Sequence, residues 1–271
     1  MIQKIRWVDS HSHSKNSMDG SNSVREMCKR AVEAKLDVYA VTDHCEINGF
    51  EAGGFCESIR HSFEETEEQK KRYDGKLDIL SGIELGQPME NLEHTEEALR
   101  IGAFDFVLGS LHNLPGKPDF YFLEYDHVDL TELLKQYFND LCEMIVGVAF
   151  DSVAHITYPL RYIVGDRKRK VDMGKLQSHL DEALRLTAEK GKALEINTSG
   201  LRQNIGTTLP DLSIVKRFRK LGGELITIGS DAHNIEDLGK GIREGYEVAR
   251  NAGFHSIVYY KKREPVEIPI G

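Results

Sequence analysis

Two short patterns carry metal chemistry. In Asp9-Ser10-His11-Ser12-His13 two imidazoles stand two residues apart, and in Asp231-Ala232-His233 a carboxylate and an imidazole keep the same spacing. Side chains alternate along an extended segment, so residues two apart point the same way and can grip one ion. Between these patterns fall Thr42-Asp43-His44, a lone Glu84, His112 after Gly109-Ser110-Leu111, His155 and Asn197. Imidazole and carboxylate without thiolate suit borderline or hard divalent ions: zinc, manganese or iron(II). Cys28, Cys45, Cys56 and Cys142 show neither CxxC pairing nor zinc-ribbon spacing, and read as buried or idle thiols.

Ligands so far apart in sequence meet only if the fold gathers them. Short apolar, β-branched runs over 7–11, 37–42, 77–84, 104–111, 152–156, 193–197 and 225–230 read as strands. Segments of helical period over 24–34, 58–72, 93–101, 130–146, 173–190, 209–220 and 238–251 alternate with them, each apolar on one face and charged on the other. Strands joined by crossover helices pair in parallel, and seven such units close most naturally into a distorted (β/α)7 barrel, an α/β fold. A barrel places the carboxyl ends of all its strands on one face, and the metal-competent residues fall at those ends. The run 256–260 is expected as an extra edge or closing strand. No repeat, linker or shift in composition interrupts the 271 residues, so 1–271 is expected to form a single domain.

The chain has 44 acidic against 35 basic residues, a net charge of −9. That balance argues against nucleic acid, whose phosphates call for a sustained basic surface, but a few local cations can still serve a small anion. Arg167-Lys168-Arg169-Lys170 is short and isolated and reads as a solvated loop. Gly239-Lys240-Gly241 lacks the residues that precede a phosphate loop. No apolar run approaches the roughly 20 residues of a membrane span, and Met1 to Arg6 lacks the apolar stretch of a signal peptide, so a cytoplasmic protein without a membrane partner is expected. His61, His94, His127, His179 and His255 lie on helix-like or loop segments and read as ordinary histidines. Those at strand ends do not, because each buried polar group left without a partner costs about 1–3 kcal/mol. Phe120-Tyr121-Phe122 fits either the core or the wall of a pocket.

The ordered set of HxH, TDH, a lone Glu, single His positions and DAH, running from Asp9 to His233, resembles the polymerase and histidinol phosphatase (PHP) family. The resemblance implies a distorted barrel around three divalent metal ions. Carried over, His11 and His13 hold the first ion with Asp231, Glu84 bridges it to a second on His112 and His155, and the third takes His44 and His233. Many family members supply a histidine shortly after HxH for that third ion. Here the stretch reads Ser14-Lys15-Asn16-Ser17-Met18-Asp19, and Asp19 is the expected substitute.

Arg161 follows His155 and Arg202 follows Asn197, and guanidinium forks match phosphate oxygens two at a time. The phrases around both resemble the monofunctional histidinol-phosphate phosphatases of the family. The resemblance thus implies hydrolysis of L-histidinol phosphate in histidine biosynthesis by a metal-activated hydroxide. Glu84, Asp231 and His233 are then the catalytic positions, and Arg161, Arg202, Asn113 and Asn197 meet the substrate. Glu46 and Asp119 are further candidates to read its amine or imidazole. Three rivals remain. A nuclease or phosphodiesterase on the same metals fits the acidic charge and paired arginines less well. A non-catalytic metal-binding module would have lost ligands, and an amidohydrolase-type barrel would carry a strand-end lysine where Glu84 stands.

Overall fold

The computed structural model describes residues 5–271. The strands are short, nearly all-buried runs: β1 (Val8–Asp9), β2 (Val38–Val41), β3 (His44–Glu46), β4 (Asp78–Gly86), β5 (Phe106–Ser110), β6 (Ser152–Val153), β7 (Ala193–Asn197) and β8 (Ile226–Gly229). Strands covered on both faces lose the polar alternation of a half-exposed sheet, which is why they read as continuous apolar runs. The helices are α1 (Val24–Glu33), α2 (Phe55–Arg72), α3 (Leu92–Arg100), α4 (Leu130–Gly147), a single turn α5 (Tyr158–Leu160), α6 (Gln177–Glu189), α7 (Leu212–Lys220) and α8 (Ile242–Asn251). Their starts follow side-chain chemistry: the Ser23 hydroxyl accepts from Glu26 N while the Glu26 carboxylate takes the Ser23 N–H, a reciprocal cap for α1.

Parallel pairing runs β1-β2-β4-β5-β6-β7-β8. β3 continues the line of β2 beyond a break at Thr42 and Asp43 and pairs with the same neighbour, β4. The two ends of the sheet then meet. Ser10 N donates to Ile228 O at 2.9 Å, Asp231 N to His11 O at 2.8 Å and His13 N to Ala232 O at 2.8 Å. This is the expected seven-stranded parallel barrel, nearly closed, and its seam joins the two patterns read first in the sequence.

The run 256–260 neither edges nor closes that barrel. It lies in β9 (Ser256–Lys261), which pairs antiparallel with β10 (Glu264–Pro269) as a separate hairpin. β1 already takes the backbone of β8, and the hairpin turns over Lys262 and Arg263 at φ 54° and 66°, the left-handed pair of a type I′ two-residue loop. Four helix starts also shift: α2 begins at Phe55 and α8 at Ile242, against the expected 58 and 238, and α7 and α6 follow local chemistry. Asp211 accepts from Ser213 N and Ile214 N, so α7 begins at Leu212, and Met173–Lys175 is a separate turn before α6. Among the described residues no helix is long and apolar enough to cross a membrane.

Candidate metal centre

Every expected ligand except Asp19 stands at the carboxyl end of a strand or just beyond it, and Asp19 lies on the loop between β1 and α1. Two of these positions carry backbone strain: His155 sits at φ 22° and Asp231 at φ 53°. Non-glycine residues in that region cost about 1–3 kcal/mol and persist only where surrounding contacts over-determine them.

The nine side chains converge in three groups around Glu84. His11 Nε2 lies 3.0 Å from His13 Nε2, and Glu84 Oε2 stands 3.4 and 3.5 Å from these two nitrogens. Asp231 Oδ1 completes the first group at 3.7 and 3.4 Å from the same nitrogens. In the second, Glu84 Oε1 lies 2.9 Å from His155 Nε2 and 3.2 Å from His112 Nε2, with the two nitrogens 3.5 Å apart. In the third, His44 Nε2 and His233 Nε2 face each other at 3.5 Å, and the Asp19 carboxylate reaches them at 3.7 and 3.2 Å. His13 stacks between His44 and His233, with ring centroids 4.1 Å from each.

The electrostatics follow from this crowding. Burial pushes Glu84 upward, but the imidazoles of His11, His44 and His112 outweigh it and hold its carboxyl well below the usual range. Asp231 is likewise lowered against burial by His11, His13 and Arg161. Burial and the neighbouring His44 and His233 drive His13 down, whereas Glu46 and Glu84 overcome burial to raise His112 to about 10.

A divalent cation suits this arrangement on the donor set and on what is left unpaired. Imidazole nitrogens confront one another in each group, and where both rings carry their protons on the far nitrogens they meet there lone pair to lone pair. Glu84 Oε2 and His44 Nδ1, 2.9 Å apart, are both buried without a hydrogen bond of acceptable geometry. His11, His13 and Asp231, and also His11, Glu84 and His155, each offer ligand atoms close enough together to share one ion.

A model of the PHP domain family matches residues 9–199. The chain is 31% identical over 241 residues to "Probable histidinol-phosphatase" of Thermotoga maritima, covering 88% of each protein. The chain belongs to the PHP family. A protein of the same name from Clostridium acetobutylicum is 26% identical over 256 residues, covering 94% of this chain and 97% of that one. The crystal structure of histidinol phosphate phosphatase from Lactococcus lactis, complexed with zinc, L-histidinol and phosphate, shares the fold. Its TM-score is 0.81 at 22% identity, covering 97% of this chain and all of the other.

Beside the centre of this PHP domain opens a cavity of about 460 Å³ whose walls include Asp19, Arg161, Arg202, Asp231, His233 and Lys240. Arg161 Nη2 donates to Asp231 Oδ2 at 2.9 Å and to Ser199 Oγ at 2.8 Å, so this arginine is tied to a candidate ligand. Arg202 Nη2 donates to Asp231 O at 2.9 Å. Each guanidinium keeps one buried nitrogen without a partner, Arg161 Nε and Arg202 Nη1. Asn197 Nδ2 donates to Asp231 Oδ2 at 3.2 Å, and its Oδ1 accepts from Ser199. Asn113 donates to Glu90 and Leu114 O and accepts from Asn48, while Asp119 accepts from the Tyr158 hydroxyl. The other five histidines lie outside the three groups: His61, His94 and His179 on helices, His127 and His255 on connecting segments.

Sequence reasoning missed a layer of acceptors behind the ligands. Glu46 Oε1 takes the Nδ1 side of His112 at 2.9 Å, and Gln87 braces both partners, donating to Glu46 Oε2 at 2.6 Å and accepting from His112 N at 2.9 Å. A Cβ on Gly86 would collide with the Glu46 carboxylate, so only glycine leaves it room. Glu195, buried in β7, accepts on the Nδ1 side of His11 at 2.7 Å. One signal was available, a lone carboxylate inside the otherwise apolar run Ala193-Leu194-Glu195-Ile196.

Proposed function

We propose that this chain is a metal-dependent phosphomonoesterase that hydrolyses L-histidinol phosphate to L-histidinol and phosphate, a step of histidine biosynthesis that takes place in the cytoplasm. The observation that carries the reading is the junction at Asp231. Its Oδ1 faces His11 and His13 while its Oδ2 takes Arg161, so cation ligands and a guanidinium share one wall of a cavity. A phosphate monoester, a compact dianion, needs that combination. The names of the two relatives that match nearly the full chain support the substrate, as does the fold shared with the Lactococcus phosphatase.

The proposed ligand set places three ions, zinc, manganese or iron(II), on His11, His13 and Asp231, on His112 and His155, and on His44, His233 and Asp19, with Glu84 between the first two groups. Ions bound there would polarise phosphoryl oxygens and bring the pKa of water toward about 7. The chain's own residues bind and orient. Arg161 and Arg202, which line the cavity, hold the non-bridging oxygens and keep the phosphorus facing the centre. Asn197 and Ser199 act through Asp231 and Arg161, fixing both in place. Asn113, next to His112, and Asp119, beside Tyr158, are the proposed contacts for the amine and imidazole end. Glu84, Asp231 and His233 are the proposed catalytic positions. Residues 1–271 are read as one domain, supported by Tyr260 of the hairpin stacking on Phe106 of the barrel at 5.4 Å.

The test is phosphate release from L-histidinol phosphate, a generic phosphomonoester and a phosphodiester, using metal-loaded protein, chelated protein and an Arg161→Ala/Arg202→Ala double variant. Metal-dependent preference for L-histidinol phosphate, lost in the double variant, is expected. Turnover of the diester alone would replace the reading with a phosphodiesterase.

A further inference from the structure

Glu195 belongs to none of the three ligand groups, yet it touches two of them. It is 1% exposed, and its two oxygens divide the work. Oε1 accepts from His11 Nδ1 at 2.7 Å, and Oε2 accepts from the backbone N–H of His155 at 2.8 Å and from Asn197 Nδ2 at 3.1 Å. Gly229, on the adjacent strand β8, clears the space: a Cβ there would run into both His11 Cβ and Glu195 Oε1. His155 is the residue held at φ 22°, so the contact at its N–H restrains strained backbone.

We propose that Glu195 is a positioning residue of the metal centre, which fixes His11 with its proton on Nδ1 and Nε2 bare toward Glu84, His13 and Asp231, and sets the spacing of His11 from His155. The inference rests on the reading of the cluster as a metal centre. An imidazole binds a metal through one nitrogen only when its proton sits on the other, and a partner that accepts that proton decides which is which. Oε1 performs this for His11. Oε2 then anchors a ligand of the neighbouring group on the same rigid carboxylate, so one side chain from β7 locks residues that follow β1 and β6. Three donors converge on these two oxygens, and only a carboxylate accepts at both. A glutamine of the same shape would turn its NH2 against one of the donors, leaving a buried mismatch.

The experiment uses the full chain and Zn²⁺ or Co²⁺ alone as the probe, with Glu195→Gln, which keeps the volume, and Gly229→Ala, which presses on the same contact from the other side. Zn²⁺ affinity by chelator competition is expected to fall about 10–100-fold in folded Glu195→Gln. The visible spectrum of the Co²⁺ form is expected to change in both variants. Unchanged affinity and spectrum in a folded Glu195→Gln protein would overturn the proposal. Nitrogen-15 NMR of Zn²⁺-loaded wild type decides independently of any variant that fails to fold: a His11 proton on Nδ1 supports the assignment, and coordination through Nδ1 refutes it. Wild-type protein that binds Zn²⁺ but releases no phosphate from L-histidinol phosphate would sink the substrate assignment and leave this inference standing.

Discussion

Both ends of the barrel bury charge, but they do so differently. At the amino ends, three buried or half-buried cations meet acceptors. Lys70 Nζ lies 2.5 Å from Asp105 Oδ2, Arg263 Nε 2.6 Å from Asp151 Oδ2, and Lys192 Nζ donates to Val148 O and Phe150 O at 2.9 and 2.8 Å. At the carboxyl ends, nitrogens confront nitrogens and Glu84 Oε2 has no hydrogen-bond partner. Burial of polar groups therefore does not mark the site, since both ends have it. The mark is a converging set that the protein leaves unmatched, which a cation completes, whereas the amino-end cations already have their acceptors and serve stability. The matching of donors to acceptors within a cluster separates scaffold from function here.

The largest effect expected from that contrast is Glu84→Gln, which removes the charge shared by the first two groups. Loss of activity on L-histidinol phosphate should exceed 100-fold, beyond the roughly 10–100-fold of a residue one layer back. An equal rate in the variant would show that the unmatched carboxylate does not serve the chemistry. Next comes Arg161→Ala, which deletes charge-assisted hydrogen bonds to Asp231 and to the proposed phosphate. About 2–3 kcal/mol, or roughly 30- to 150-fold in kcat/KM, should be lost.

The amino end should behave in the opposite way. Arg263→Ala leaves the buried Asp151 carboxylate without its ion-pair partner, keeping only the Val107 N–H, and burial already raises its carboxyl against the arginine's pull. With Arg263 partly exposed, a loss of about 2 kcal/mol is expected, a fall of roughly 5 °C in Tm, with kcat of the folded protein unchanged. A matching fall in kcat would couple the two ends and break the comparison. The smallest effect lies away from both. Burial and then Glu143 push Asp140 up to about 6, and its Oδ2 has no partner. The folded state thus holds a proton that the unfolded state has lost, so stability falls as pH rises through about 4 to 6. Asp140→Asn should raise Tm by about 2 °C at pH 7 and leave it unchanged at pH 4, checked by thermal melts at both.

Much of the centre was legible in the sequence because its information is local. His11 and His13 declare themselves by two-residue spacing, Glu84 falls near the carboxyl end of β4, and the strand-helix alternation places both on one face. Other features were hidden. The hairpin partner β10 has charged residues and two prolines in Glu264-Pro265-Val266-Glu267-Ile268-Pro269, so no apolar run announced it. Arg161 reads in sequence as a free guanidinium, yet it reaches Asp231, 70 positions away.

Residue type and periodicity alone determined the barrel and the order of the candidate ligand residues along it, because each depends on neighbours a few positions apart. Tertiary structure decided which nitrogen of each ring faces the centre and which carboxylates face inward or brace from behind. Those choices depend on pairs such as His11 and Glu195, separated by 184 positions, and only the closed sheet brings their atoms within hydrogen-bonding distance.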